Sequence, residues 1–502
     1  MRAICSVDVV RTAEARAGVP EPVLMQRASH ALAGVCRRLL CGDGTSLRGR
    51  HVVALVGTGN NGGDALWALS MLAGRGARTT VVGDPAAMHV EGARAARAAG
   101  ARVVGWTDPA VAAALGGADL VLDGILGIGG RGGIRQPAAA VVELLAGTEA
   151  PVVAVDVPSG VDAGTGEVAG VAVTAHVTVC FGVLKPGLVL APGRDHAGAL
   201  TVVDIGLVDE HLEPVAHALS LADLAIARPA GDAHKYRRGL VGVSAGSIHY
   251  PGAALLAVDG ARMAGAGMVV LRPAGAGLGA GSELDPVGAM VVARHPDVVV
   301  SAERPVDACC IGPGLGDPRA CADRVLSAMA DPAPLVLDAS ALDVLARQDG
   351  RTALAERSAA GRISVLTPHA GEFSRLGFDT AGGRLACAQR AARDTGAVLV
   401  LKGPGTVVAA PDGTAFIDTF ADAQLATAGS GDVLAGLLAG MLAAAVRAGE
   451  LNAAGAALVA ARAVGLHGLA GRRAGAGGGP VTATDIAEHL RGARAAASAA
   501  AT

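Results

Sequence analysis

The chain has 502 residues, 51% apolar and 17% charged, which excludes a disordered chain and calls for more than one core. Its net charge of −3 and aromatic content of only 2% exclude a nucleic-acid partner held by phosphate neutralisation and base stacking. Arg11, Glu14 and Arg16 stand where a signal peptide would need its apolar stretch. The cleanest apolar helical run, Val433–Val446, falls short of the ~20 residues a bilayer requires. The expectation is therefore a soluble, cytoplasmic protein with no membrane partner. The eight cysteines contain no CxxC pair and read as small buried hydrophobes rather than a zinc site or disulfide frame.

In chain order, residues 1–40 carry Ala and Leu at helical spacing. Strands are predicted at His51–Val56, Thr79–Gly83, Asp119–Leu122 and Val152–Val155, alternating with helices at Asp64–Ala73, Glu91–Ala99 and Ala139–Leu145. Short, continuously apolar strands between amphipathic helices indicate a parallel sheet covered on both faces. The rhythm breaks over residues 205–230, so the domain boundary is placed at 219/220, giving domains 1–219 and 220–502. A second series follows. Its strands are predicted at Leu240–Val243, Met268–Leu271, Ala308–Ile311, Leu335–Leu337, Ile363–Leu366 and Val398–Leu401. Its helices are predicted at Ala253–Gly265, Arg319–Met329, Arg384–Thr395, Asp432–Arg447 and Ala453–Leu469. Glycine-rich stretches at 274–282 and 474–479 read as loops, and the Ala-rich tail 491–502 as a fraying end.

Gly57–Asp64 (GTGNNGGD) follows a strand and opens a helix. Its GxGxxG spacing, with Asp84 ending the next strand, is the order of a dinucleotide fingerprint, a weak signal in so glycine-rich a chain. The paired asparagines are left over by that reading. Three further strand ends carry chemistry: Asp123, the run Gly127–Gly133 (GIGGRGG), and Asp156 with Ser159 in DVPSG. In an open parallel sheet these ends line one crevice. Asn61, Asp123 and Ser159 would supply hard oxygens for a cation, Gly127–Gly133 amides for phosphates, and Asp156 a proton donor or acceptor. Either aspartate taken alone reads equally as a turn cap.

In the second half, Ala428–Gly436 holds Gly-Ser-Gly-Asp at a helix start, where amides and the helix dipole form an anion hole beside Asp432. Asp432 could take a proton from a hydroxyl attacking a phosphoryl group, or could simply cap the helix. Lys402-Gly-Pro-Gly-Thr406 is a second phosphate-suited loop. The chain lacks GxxxxGK[ST], which excludes a P-loop NTPase. Only three of its 42 basic residues are lysines, Lys185, Lys235 and Lys402, so each is a candidate for a place needing a compact point charge.

NNGGD, the Asp123-then-GIGGRGG run, DVPSG with Asp162, and FGVLKPG (Phe181–Gly187) together resemble the epimerase domain of NAD(P)H-hydrate repair enzymes, over residues 8–210. The resemblance implies a Rossmann-like three-layer α/β domain and potassium at Asn61, Asp123 and Ser159. It implies substrate contacts at Asn60, Asn61, Gly62, Gly63 and Asp64, at Gly127, Ile128, Gly129, Gly130, Arg131, Gly132 and Gly133, and at Asp156. HK (His234–Lys235), GSxxYPGA, GPGLG, TPHxGE, KGxGT and GSGD resemble the ADP-dependent NAD(P)H-hydrate dehydratases of the ribokinase-like group, over residues 225–490. That implies Ala253, Gly316, His369 and Asp432 at the hydrated dinucleotide. Lys402, Gly403, Pro404, Gly405, Thr406 and Gly431 would hold the adenylate, with magnesium accompanying ADP. Departures from the family pattern are Ala65 for Gly, Ser430 for Thr, and Tyr236 for Gly.

The function implied is repair of hydrated NADH and NADPH. The first domain would interconvert the R and S hydrates at C6 with acid–base help from Asp156. The second would dehydrate the S form at the expense of ADP, with Asp432 as base, giving NAD(P)H, AMP and phosphate. A homo-oligomer is expected. Three other readings stay open: a fused kinase for a small alcohol, a first half that binds a nucleotide without turnover, and a nicotinamide oxidoreductase, which leaves the second half unused.

Overall fold

A computed structural model describes residues 1–42, 46–207, 212–229, 231–272, 285–302, 304–449 and 451–502. The predicted loop 274–282 lies outside the described residues. The chain divides into two compact units, Arg2–Val215 and Ala216–Thr502, the latter taking in Met1.

The N-terminal unit begins with β1 (Arg2–Ile4), joined to Leu184 by a parallel bridge. Helices Val7–Arg16 and Glu21–Cys41 follow. The sheet contains β2 (His51–Val56), β3 (Arg78–Gly83), β4 (Arg102–Val104) and β5 (Leu120–Gly124). It is completed by β6 (Val152–Val155), β7 (Val177–Phe181) and β8 (Ala199–Val203). Every pairing is parallel, in the order β4-β3-β2-β5-β6-β7-β8. Alternate residues of β2 feed opposite cores. Val52, Ala54 and Val56 pack with the Glu21–Cys41 and Asn60–Ala73 helices, whereas Val53 and Leu55 pack with Val111, Val141 and Val142. This is the three-layer arrangement expected, and its strand order reverses between β2 and β5, where ligands of such sheets bind.

The C-terminal unit contributes β9 (Ala216–Ala218), β10 (Leu240–Ser244), β11 (Met268–Leu271), β12 (Val299–Val300) and β13 (Ala308–Ile311). Then come β14 (Leu335–Leu337), β15 (Ser364–Leu366), β16 (Val398–Leu401), β17 (Val407–Ala409) and β18 (Ala415–Ile417). The order is β9-β18-β17-β16-β15-β14-β13-β10-β11-β12, parallel except where β17 pairs with β16 and β18. Here the order reverses between β10 and β13.

Several sequence expectations are corrected. The predicted helix at Asp64 begins instead at Asn60, so NNGGD forms its first turn. The tail does not fray: helix Ala483–Ala501 starts from a reciprocal Thr482–Asp485 cap and buries Ile486, Leu490, Ala493 and Ala497 at helical spacing. The last long pair of helices before it, Ser430–Ala448 and Ala453–Ala474, outruns the fourteen-residue estimate. By length and composition, Ser430–Ala448 and the stretch Ala453–Gly477 could each cross a membrane, but 61% of each is buried inside the protein, where they line its core. Helix Pro286–Arg294 and the β17–β18 hairpin were not anticipated.

Candidate active sites

In the N-terminal unit the loops after β2, β5 and β6 meet at the switch point around a cleft of about 830 Å3. Its lining includes Asn60, Asn61, Asp64, Gly127–Gly130, Asp156 and Lys185. Arg131, Gly132 and Gly133 are not among the lining residues. The fingerprint glycines have a structural reason: a Cβ on Gly57 would stand 1.9 Å from Ile125 O, and one on Gly62 2.4 Å from Gly57 O. They allow the β2 turn to pack against the β5 turn. Asp84 accepts from Ala86 N at 3.0 Å and serves as a turn cap.

Asp156 follows β6 with φ +62°, a left-handed conformation that costs a non-glycine residue about 1–3 kcal/mol. Its Oδ1 accepts from Phe181 N at 2.9 Å and from Lys185 Nζ at 2.5 Å. Lys185 Nζ also donates to Phe181 O at 2.9 Å, and its side chain is 1% exposed. Burial opposes the ammonium charge, yet Asp156 and Cys180 outweigh it and raise the lysine above its ordinary value. Asp64, buried on the cleft wall, is pushed well above the carboxylate range by burial and then by the Asp156 charge. Glu14, on the helix Val7–Arg16, is raised by the same two causes. The lysine was noticed in the sequence only for its rarity, and its pairing with Asp156 was not foreseen.

Beside this cleft Asp123 is fully buried. Ser159 donates to it from Oγ at 2.5 Å and from N at 2.7 Å. Asn61 Nδ2 donates to Leu126 O at 3.0 Å, and Leu126 N to Ser159 Oγ at 2.8 Å. Burial raises Asp123 to about 6 against the Ser159 hydrogen bonds, and no cationic side chain pairs with it among the described residues. A buried carboxylate among hydroxyl, amide and carbonyl oxygens, with no protein counter-charge, fits a hard monovalent cation.

In the C-terminal unit the corresponding loops bring together Asp338 (after β14), Thr367 and Glu372 (after β15), Lys402 (after β16) and Gly431–Asp432 at the start of Ser430–Ala448. Lys402 Nζ lies 2.8 Å from Asp338 Oδ1 and 3.8 Å from Glu372 Oε2. Thr367 Oγ1 donates to Asp338 Oδ1 at 2.6 Å. A Cβ on Gly431 would stand 3.4 Å from Lys402 Nζ, so the turn runs directly beside the ammonium. Burial tends to discharge Lys402, but Asp338 and Glu372 raise it. Asp432 is pushed up to about 7 by burial and then by Asp338, with Lys402 opposing. A carboxylate poised there suits general-base work at neutral pH.

His369 caps the helix Ala370–Arg375: its Nδ1 accepts from Gly371 N and Glu372 N, while Glu372 accepts from His369 N. Gly403 is flanked by Arg384, which donates to the Leu401 and Lys402 carbonyls at 3.2 Å each. Ala253 and the 312–316 loop adjoin, since a Cβ on Gly314 would meet Ala253 Cβ at 2.6 Å and one on Gly316 would meet Ser247 Oγ at 2.8 Å. Beneath the GSGD turn, Ser430 Oγ meets His467 Nε2 at 3.2 Å, and burial depresses His467 to about 4. Lys235, the third lysine, is exposed beside Tyr236. Asp338, Glu372 and His467 were not singled out as site residues from sequence. Glu372 stood in the TPHxGE motif, whereas the His467 contact arises only in the fold.

Magnesium finds no protein cage among the described residues, which hold no group of three or more His, Cys, Asp or Glu side chains placed to bind a metal. Asp338 and Glu372 are committed to Lys402. The residues fit a divalent ion carried in by nucleotide phosphates and met by Asp432.

Fold and geometry together define an α/β enzyme of two units, each with a lysine paired to a carboxylate at its strand ends. The NAD(P)H-hydrate dehydratase family profile matches residues 241–491, and the YjeF-related protein N-terminus profile matches residues 21–187. The chain is 40% identical to the bifunctional NAD(P)H-hydrate repair enzyme Nnr of Mycobacterium leprae, over 99% of this chain and 100% of that one. It is 40% identical to the Mycobacterium tuberculosis enzyme of the same name, over 90% and 92% of the two chains. Among solved structures it is similar to the ADP/ATP-dependent NAD(P)H-hydrate dehydratase of Bacillus subtilis, co-crystallised with ATP/Mg2+. That match is 26% identical with TM-score 0.43, covering 54% of this chain and 94% of that one. The chain belongs to the family of bifunctional NAD(P)H-hydrate repair enzymes.

Proposed function

We propose that the chain repairs hydrated NADH and NADPH in two steps, with residues 1–219 as the epimerase domain and 220–502 as the ADP-dependent dehydratase domain. The observation supporting this most strongly is that each family match falls on a unit whose candidate residues gather at the carboxyl ends of its parallel strands.

In the first step the ring nitrogen's electron pair expels the C6 hydroxyl, which leaves as water after taking up a proton. Water adds back to either face and releases a proton, so the balance is zero. Asp156 is the proton-transfer group; Asn60–Asp64 and Gly127–Gly133 contact the substrate. Asn61, Asp123 and Ser159 would hold potassium, which when bound supplies the counter-charge that Asp123 lacks.

In the second step Asp432 takes the proton of the S hydrate's hydroxyl as that oxygen attacks the terminal phosphorus of ADP. The phosphoryl–oxygen bond to AMP breaks. Phosphate then leaves C6, pushed by the ring nitrogen, and loss of the remaining proton restores the reduced ring. Ala253, Gly316 and His369 contact the hydrated dinucleotide. Lys402, Gly403, Pro404, Gly405, Thr406 and Gly431 hold the adenylate. Magnesium, bound with ADP, would offset phosphate charge.

Burial of all eight cysteines supports a reducing, cytoplasmic setting. Homo-oligomeric assembly belongs to the same reading. Pure S hydrate given ADP and magnesium tests the second step: NADH with one AMP and one phosphate per turnover is expected, and a stable phosphorylated product would replace this reading with a small-alcohol kinase.

A further inference from the structure

We propose that Lys185 is a positioning residue of the epimerisation: its ammonium holds one oxygen of the Asp156 carboxylate and thereby turns the other toward the substrate. This rests on the reading of Asp156 as the proton-transfer group of the first step.

The geometry supports it at three points. Asp156 is mostly buried and holds a left-handed backbone, so its side chain leaves the β6 turn in one direction only. Lys185 grips the same Oδ1 that accepts Phe181 N, which leaves Oδ2, without a hydrogen bond among the described residues, as the oxygen open to substrate in the cleft. The ammonium is itself anchored by Phe181 O at 2.9 Å and touches Cys180 Sγ at 3.5 Å, so it cannot swing into the cleft without breaking those bonds. The motif FGVLKPG thereby acquires a physical reason. β7 ends at Phe181, the chain turns at Gly182, and Lys185 returns underneath to reach Asp156.

The surroundings make this cation necessary. The groups facing Asp156 are Asp64 from the helix Asn60–Ala73, Glu14 from the helix Val7–Arg16, and Cys180 from β7, none of them cationic. Arg11 lines the same cleft and acts on Glu14, and Glu21 lies beyond it. Lys185 is thus the cation in contact with Asp156. Lysine suits this task because a compact ammonium fits between Asp156, Phe181 O and Cys180 Sγ where a planar guanidinium would not.

The test follows R-to-S exchange of pure R NADH hydrate, without ADP, by chromatography of the two forms with the full chain. Lys185→Met is expected to slow exchange about a hundredfold, with the loss in kcat rather than in KM, because the substrate still binds but meets a misplaced carboxylate. Asp156→Asn is expected to slow exchange at every pH. Adding Lys185→Met to Asp156→Asn is expected to cost less than about threefold more, because a residue acting through Asp156 has nothing left to position. That double variant leaves no unpaired buried charge, so it decides the matter even where Lys185→Met alone fails to fold. A loss confined to KM, or full additivity in the double variant, would overturn the role given to Lys185. Wild-type exchange by Asp156→Asn would instead overturn the reading of Asp156.

Discussion

In the N-terminal unit the lysine grips the carboxylate assigned to the chemistry, Lys185 lying 2.5 Å from Asp156. In the C-terminal unit Lys402 grips Asp338 at 2.8 Å and leaves Asp432 beside it, raised to about 7 by burial and by Asp338. The left-handed backbone also shifts place: it falls on Asp156 itself in one unit and on Ala339, next to Asp338, in the other. The same pair of residue types therefore serves two ends. A direct ion pair fixes where a carboxylate points, whereas an indirect one leaves a base that titrates near neutrality.

The largest expected effect separates the two sites. Asp432→Asn should slow dehydration of the S hydrate by about a thousandfold or more while R-to-S exchange stays at the wild-type rate. Asp156→Asn should do the reverse. A variant that lowers both activities equally would break the comparison. Next, replacing potassium with a bulky organic cation should slow exchange about tenfold and leave dehydration unchanged, because the oxygen-lined Asp123 carboxylate is fully buried with no cationic partner among the described residues.

A finer effect concerns pH. Asp432 must be deprotonated to act, so kcat/KM for dehydration should climb as pH rises through about 7 and level off above it. Asp338→Asn removes the neighbouring charge that raises Asp432 and frees Lys402 to oppose it. The climb should then move to lower pH by about one unit. A climb that moves upward would refute the assignment of Asp338 as the cause. Smallest of all, Ser430→Ala removes the hydroxyl that meets His467 at 3.2 Å. It should cost about 1 kcal/mol of stability, read by denaturant unfolding, and a few-fold in dehydration.

Much of the frame was legible because it is local. His51–Val56, Met268–Leu271, Ala308–Ile311, Leu335–Leu337 and Val398–Leu401 were predicted with the bounds they have, being short apolar runs between turns. The tail helix was missed because alanine alone signals neither burial nor exposure, and only packing of Ala493 and Ala497 decides. The carboxylates at strand ends were visible as motifs, but their partners were not. Lys185 lies 29 residues from Asp156 and Lys402 lies 64 from Asp338, so the pairing exists only once the strands are ordered in the sheet. The one local trace was the scarcity of lysine, and two of the three lysines proved to be buried partners of those carboxylates.

The most direct test gives the purified chain a mixture of R and S NADH hydrates with ADP, magnesium and potassium, and follows the near-ultraviolet absorbance of the reduced nicotinamide from the first seconds. The account predicts complete recovery of NADH by the wild type and none by Asp432→Asn. For Asp156→Asn it predicts a fast partial phase and then a slow one set by unaided interconversion. No recovery by the wild type with either ADP or ATP would contradict it.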